Sequence, residues 1–84
     1  MNKIYEDLTL VTVLYNSKKS AQSFFSNLDN FSIIVVDNGR NEKVLEEIKC
    51  YKNIKIISKN KNIGYGRAVN FAVKNVSTKF FLIL

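Results

Sequence analysis

The 84-residue sequence contains no histidine, no proline and only one cysteine. The absence of histidine excludes a Ser-His-Asp triad, and it excludes a zinc site shared by histidine and cysteine. The single cysteine, Cys50, excludes an internal disulfide and is expected to behave as a small apolar residue. Any chemistry of this chain therefore depends on carboxylate, amide, tyrosine, lysine and arginine side chains.

Long apolar segments are also lacking, because the longest ones are far too short to span a bilayer. The apolar segment 8–15 resembles a secretory signal, but Glu6 and Asp7 precede it, where a signal requires positive charge. The sequence has three glycines and no linker, repeat or low-complexity tract. Its length and its 46% hydrophobic content predict one small soluble domain, residues 1–84, in the cytoplasm.

Acidic residues are absent beyond Glu47, where eight lysines and arginines occur, and the net charge is +6. Such an excess of positive charge suits nucleic acid, an anionic membrane surface or a phosphorylated ligand. The lysines at 49, 52, 55 and 59 are spread over a predicted helix end and a predicted strand. We therefore favour a solvated surface and rank nucleic-acid binding low.

Apolar segments typical of strands alternate with amphipathic segments typical of helices. Strands are predicted at 8–14, 33–37, 53–59 and 79–84. Helices are predicted at 17–30, from 41 to about 52, and from the loop 60–67 to about 75–78. The order β-α-β-α-β-α-β predicts an α/β fold, a three-layer Rossmann-like open parallel sheet with strand order 3-2-1-4. The first two helices would cover one face of the sheet and the third helix the other.

The second predicted strand ends abruptly in polar residues. Four β-branched residues, 33–36, are followed by Asp37, Asn38 and Gly39. Ligands of open parallel sheets bind beyond the carboxyl ends of the strands, so Asp37 is a candidate site residue. The same three residues are also preferred in turns, and this segment alone supports a plain turn equally well.

Polar and aromatic residues follow the other strands at the same predicted edge. An aromatic ring can stack on a base, a carboxylate can accept from a base N–H or a ribose hydroxyl, and a guanidinium can pair with phosphate. Glycines at 64 and 66 would let backbone N–H groups approach an anion. These properties match a nucleotide, and the candidate binding residues are Tyr15, Asn16, Asp37, Asn38, Asn62, Gly64 and Arg67.

Three other nucleotide or phosphate motifs do not fit. The segment 64–66 follows the third strand and has Val69 at the third glycine position, so it is not a dinucleotide fingerprint. No Gly-Lys-Ser/Thr sequence occurs, which excludes a P-loop. A phospho-receiver domain needs acids after its first strand, where this chain has Tyr15 and Asn16.

Segments 11–17, 33–39 and 60–70 together resemble the N-terminal nucleotide-binding half of glycosyltransferase family 2, which has the GT-A fold. The resemblance implies sugar transfer from a UDP- or dTDP-linked donor to a saccharide or lipid-linked acceptor, as in bacterial surface polysaccharide biosynthesis. It implies that Tyr15 lies against the base, that Asp37 binds the base and ribose, and that Arg67 reaches the base or the diphosphate. Asn62 and Gly64 would shape the wall of the pocket.

The family also uses parts that do not occur in these 84 residues. Its Asp-X-Asp metal motif would follow a strand resembling 80–84, and the acceptor-binding half and the base of an inverting transferase would come later. We therefore expect no catalytic residue, metal ligand or cofactor in this chain. We interpret the chain as an inactive N-terminal fragment of a GT-A domain. Mg²⁺ or Mn²⁺ is expected only in a full-length relative, for which peripheral membrane association stays open.

The last predicted strand would present an unpaired apolar edge, and one helix alone would cover the adjacent sheet face. Exposed apolar edges pair with other chains, so we expect a homo-oligomer formed through this edge or this face. A non-catalytic nucleotide-binding or self-associating α/β module is the alternative to a transferase fragment.

Overall fold

The computed structural model describes residues 4–17, 25–59 and 61–84. In this part of the chain, four parallel strands form one sheet: β1 (Leu8–Leu14), β2 (Ser32–Asp37), β3 (Ile54–Ser58) and β4 (Phe80–Ile83). Their spatial order is β3-β2-β1-β4. The predicted parallel sheet, its strand order and its α/β class are therefore confirmed.

Helices α2 (Glu42–Ile48) and α3 (Tyr65–Lys74) cover opposite faces of the sheet. A third helix, α1 (Ile4–Asp7), has four residues and was not predicted. No helix within the described ranges is both long and apolar enough to cross a membrane.

The core has two layers because successive residues of a strand face opposite sides of the sheet. Every residue of β2 from Ile33 to Asp37 is buried, as the unbroken β-branched segment predicted. The layer on the α2 side contains Leu10, Phe25, Ile33, Val35, Val44 and Ile48. The layer on the α3 side contains Val11, Ile34, Val36, Ala68 and Ala72, and the two alanines let α3 lie close to the sheet.

The middle of the first predicted helix, residues 18–24, which include Ala21 and Phe24, lies outside the described residues. Phe25 and Ser26 are helical and the next four residues form a turn, so the helix ends before Asn30. The amide of Asn53 donates to the backbone oxygens of Leu28 and Phe31, at 3.1 and 2.9 Å. These bonds tie the turn that follows the helix to the residue before β3.

Cys50 is exposed, so the expectation that it would behave as a small apolar residue was wrong. Cys50 follows the end of α2, whose buried residues Val44 and Ile48 face the sheet, and it is not part of that buried face. Its Sγ is 3.8 Å from the carbonyl oxygen of Glu47.

Candidate functional site

Three loops are joined at the carboxyl edge of the sheet by backbone hydrogen bonds. The N–H of Asn38 donates to the oxygen of Leu14 at 2.8 Å, and the N–H of Asn16 donates to the oxygen of Gly39 at 2.9 Å. On the other side, the N–H of Lys59 donates to the oxygen of Asp37 at 3.1 Å. The loops after β1, β2 and β3 therefore have fixed positions relative to one another.

The carboxylate of Asp37 is the centre of this edge and is only 6% exposed. Its Oδ1 accepts from the N–H of Gly39 at 2.9 Å and from Nδ2 of Asn41 at 2.7 Å. Its Oδ2 accepts from the hydroxyl of Ser58 at 2.9 Å. Since a carboxylate oxygen can accept two hydrogen bonds, Oδ2 can accept one more from a ligand.

The hydrogen bonds also set the protonation state of Asp37. Burial alone raises the pKa of Asp37, because a charged carboxylate is poorly solvated in the interior. The bonds from Asn41, Gly39 and Ser58 lower the pKa and outweigh burial, so the net pKa lies below the ordinary value. Asp37 is therefore a charged acceptor at neutral pH, and a ligand meets a preformed negative group.

Asn41 is the member of this site that the sequence did not identify as functional. It is 1% exposed, and its Nδ2 also donates to the oxygen of Leu14 at 2.8 Å. Its Oδ1 accepts from the N–H of Ser17 at 2.9 Å, whereas the start of α2 has no side-chain cap. The sequence predicted only that Asn41 begins a helix. Its three hydrogen bonds could not be predicted, because they depend on the path of two loops.

Ser58 was also missed, although its position carried a usable signal. In the parallel register Ser58 is the partner of Asp37, and directly opposed residues of parallel strands face the same side. A register prediction would therefore have placed the hydroxyl beside the carboxylate.

Asn38 and Asn62 hold the loop that leads into α3. Nδ2 of Asn38 donates to Oδ1 of Asn62 at 3.0 Å, and Oδ1 of Asn38 accepts from the N–H of Ile63 at 2.9 Å. Oδ1 of Asn62 also accepts from the N–H of Gly64 at 2.8 Å. These bonds engage the side chains of both asparagines in fixing the loop.

The other two predicted site residues extend from the same edge without joining this network. Tyr15 lies one residue beyond β1 and is 48% exposed. Arg67 is exposed in the first turn of α3, and within the described residues its side chain forms no hydrogen bond or ion pair. Hydrogen bonds thus bring together Asn16, Asp37, Asn38, Asn62 and Gly64, while Tyr15 and Arg67 remain available at the edge.

A cleft of about 430 Å³ opens beside this network, within the size range of small-ligand pockets. Arg40 and Lys43 contribute two positive charges to it, and Glu42 one negative charge. Arg40 has a φ of 62° and Asn16 a φ of 54°, both in the left-handed region. Sequence reasoning missed Arg40 and Lys43, because nothing in their spacing indicates that the loop turns them toward Asn16.

The described residues do not fit a metal ion. Across 4–17, 25–59 and 61–84, no three histidine, cysteine, aspartate or glutamate side chains lie close enough to hold one.

Two comparisons with known proteins found a similar protein and a matching family model. The chain is 31% identical over 94 aligned positions to a teichoic acid poly(glycerol phosphate) polymerase of Staphylococcus epidermidis. The alignment covers 100% of this chain but only 12% of that relative. No solved structure matches significantly. The family model of glycosyl transferase family 2 matches residues 9–84, which include all four strands and the whole candidate site, and the chain therefore belongs to that family.

Proposed function

We propose that this chain binds the nucleoside diphosphate part of an activated sugar, UDP- or dTDP-linked, as the donor-binding part of a glycosyltransferase. The observation that carries the proposal is the Asp37 carboxylate, buried, charged and supplied with three donors, with one acceptor position left on Oδ2. A buried carboxylate held this way at the carboxyl edge of a parallel sheet suits an N–H of a base or a ribose hydroxyl.

Each residue around Asp37 has a distinct proposed role. The exposed ring of Tyr15 stacks on the base, and the guanidinium of Arg67 pairs with the base or the diphosphate. Arg40 and Lys43 in the neighbouring cleft add positive charge for the diphosphate. Asn38 and Asn62 hold the wall, since both amides are already engaged in the loop.

Sugar transfer itself is proposed for the whole protein, with a saccharide or lipid-linked acceptor. The relative is named as a teichoic acid poly(glycerol phosphate) polymerase, which supports a role of the whole protein in the synthesis of a polymer of that kind. A cytoplasmic location remains part of this proposal.

The charge of Asp37 can be removed without loss of its contacts. In Asp37→Asn the side-chain oxygen can still accept from Gly39 and Asn41, and the new NH₂ can donate to Ser58, whose hydroxyl can reverse. Asp29→Asn is the matched control, because Asp29 is an exposed acid shortly before β2, toward the opposite end of the sheet. Both variants change the net charge equally.

Isothermal titration calorimetry with UDP and with dTDP measures the effect. We expect Asp37→Asn to weaken nucleotide binding about 10- to 100-fold, the value of one hydrogen bond to a charged group, and Asp29→Asn to leave it unchanged. Equal affinity of Asp37→Asn and the natural chain would contradict the proposed role of Asp37. Absence of binding by the natural chain up to millimolar nucleotide would remove the proposed site.

A second proposal, self-association, rests on β4. This strand pairs only with β1 in the described sheet, and its residues Phe80 to Ile83 are 40–60% exposed. Alternate residues turn apolar side chains to both faces, so a second copy can cover the edge and a face together. Sedimentation equilibrium at micromolar concentrations is expected to give a mass above 9.7 kDa that Leu82→Lys returns to the monomer value. A monomeric mass for the natural chain would overturn this proposal.

A further inference from the structure

Two lysines lie near an aromatic ring on one flank of the molecule, and a third lies near the end of the helix that carries this ring. Nζ of Lys59, just after β3, lies 3.5 Å from the centroid of the Phe71 ring in α3, and Nζ of Lys74 lies 5.7 Å from it. Lys55 of β3 donates to Oδ1 of Asn75 at 2.8 Å, one residue beyond α3. We call these residues, Lys55, Lys59, Phe71 and Lys74, the lysine surface.

The sequence-based expectation concerned only the lysines at 49, 52, 55 and 59, and the lysine surface adds Lys74 of α3 to two of them. Residues 55 and 59 belong to one segment of chain and residue 74 to another, and only the packing of α3 across the face of the sheet brings them together. A helix pattern or a strand pattern considered separately does not contain this cluster.

The positive charge of this surface is not neutralised locally. The sequence has no acidic residue after Glu47, and within the described residues none of the three lysines forms an ion pair. The contacts with Phe71 and Asn75 restrain the ammonium groups of Lys59 and Lys55, so part of the entropy cost of binding an anion is already met.

The position of Lys59 limits the kind of anion that fits. Since its ammonium group lies over the Phe71 ring, that face of the ring cannot stack on a nucleic-acid base. Insertion of the ring into a bilayer would carry the same ammonium group into an apolar phase, which is costly. A flexible chain of phosphate groups without aromatic bases can pair with the ammonium groups. It requires neither stacking on the Phe71 ring nor insertion of the ring into a bilayer.

We propose that the lysine surface binds a linear polyphosphate chain, or a phosphodiester chain that carries no bases, independently of the nucleotide site at the carboxyl edge. The ammonium groups pair with successive phosphates of the chain, and no covalent step takes place. Because the binding is electrostatic and exposed, it weakens steeply as salt concentration rises.

Inorganic polyphosphate labelled with a fluorophore is the probe, and fluorescence anisotropy at low salt is the measurement. The double variant Lys59→Gln/Lys74→Gln removes two charges from the lysine surface. The double variant Lys49→Gln/Lys79→Gln is the control, because these exposed lysines lie after α2 and before β4 and removing them changes the net charge equally.

We expect the first double variant to bind polyphosphate about five- to tenfold more weakly than the natural chain, and the control variant to bind within twofold of it. Saturating UDP should not displace the probe. Equal losses in both variants would overturn the proposal, since the attraction would then follow net charge alone. It would equally be overturned if the natural chain did not bind polyphosphate, or bound single-stranded DNA or anionic vesicles more tightly.

Discussion

Replacing Asn41 with alanine tests whether the Asp37 network stabilises the carboxyl edge. The substitution removes three hydrogen bonds made by one buried side chain. The three groups that bond to Asn41 are not affected equally. The oxygen of Leu14 keeps the N–H of Asn38, whereas the N–H of Ser17 loses its partner and Oδ1 of Asp37 keeps only the N–H of Gly39.

The expected magnitude follows from these three losses. A hydrogen bond to a charged group contributes about 1.5–3 kcal/mol, and leaving a buried donor unsatisfied costs about 1–3 kcal/mol. Ser17 is only partly buried, so water can replace part of its bond. We expect Asn41→Ala to lower the free energy of unfolding by about 3–4 kcal/mol at neutral pH, a large share of the roughly 4–12 kcal/mol of a domain this size.

Urea denaturation followed by circular dichroism measures this change, and Asn53→Ala is the matched control. Asn53 also donates two hydrogen bonds to backbone oxygens, but neither partner is charged. We therefore expect the control to lose only about 1–2 kcal/mol.

The pH dependence separates the charged bond from simple loss of packing. Because the pKa of Asp37 is lower in the folded state than in the unfolded state, its charge stabilises the fold fully above the unfolded pKa. That contribution disappears as the pH falls through the folded pKa. The difference between Asn41→Ala and the natural chain should therefore shrink in acid. An unchanged difference, or equal losses in Asn41→Ala and Asn53→Ala at neutral pH, would refute the reasoning.

Three further predictions concern the same edge. Gly39→Ala is expected to destabilise the fold by about 1–3 kcal/mol, because Gly39 has a φ of 110° that alanine rarely adopts. The added Cβ would meet only ordinary contacts at 3.6 Å, so the cost comes from the backbone conformation. Thermal unfolding measures the loss of stability, and an unchanged melting temperature would contradict the prediction. Arg67→Gln is expected to leave the melting temperature unchanged and to weaken UDP binding, whereas Lys79→Gln changes neither, and equal UDP affinities would argue against a role for Arg67. Asp37→Asn is expected to reduce the fall in the free energy of unfolding as the pH is lowered into the acid range. An unchanged fall would mean that another carboxylate causes it.

The sequence could predict the parts of the fold that depend on regular repetition. The nearly continuous apolar segment at 8–14 and the unbroken one at 33–36 indicated strands within the sheet, and the predicted strand order 3-2-1-4 placed the third strand at one side of the sheet, as observed. The alternation of strands and helices then fixed the parallel order. Helical spacing indicated that Ala72, with either Ala68 or Val69, faces inward, and Ala68 and Ala72 are the two that are fully buried.

The loops could not be predicted in the same way, because their contacts join residues far apart in the chain. The position of Asp37 followed from the end of a strand, but its partners Asn41 and Ser58 did not. The lysine surface likewise exists only once α3 packs across the face of the sheet. Asn38 and Asn62 were predicted as site residues, and the hydrogen bonds that engage both amides with the loop became visible only in three dimensions.

The most direct test of the central claim is a map of backbone amide chemical shifts in the natural chain during titration with UDP and dTDP. The account predicts that the shifts concentrate at residues 15–16, 37–40 and 62–67, which follow three different strands and meet at one edge of the sheet. Shifts confined to the opposite edge, around residues 52–55 and 75–78, or no shifts at millimolar nucleotide, would contradict it.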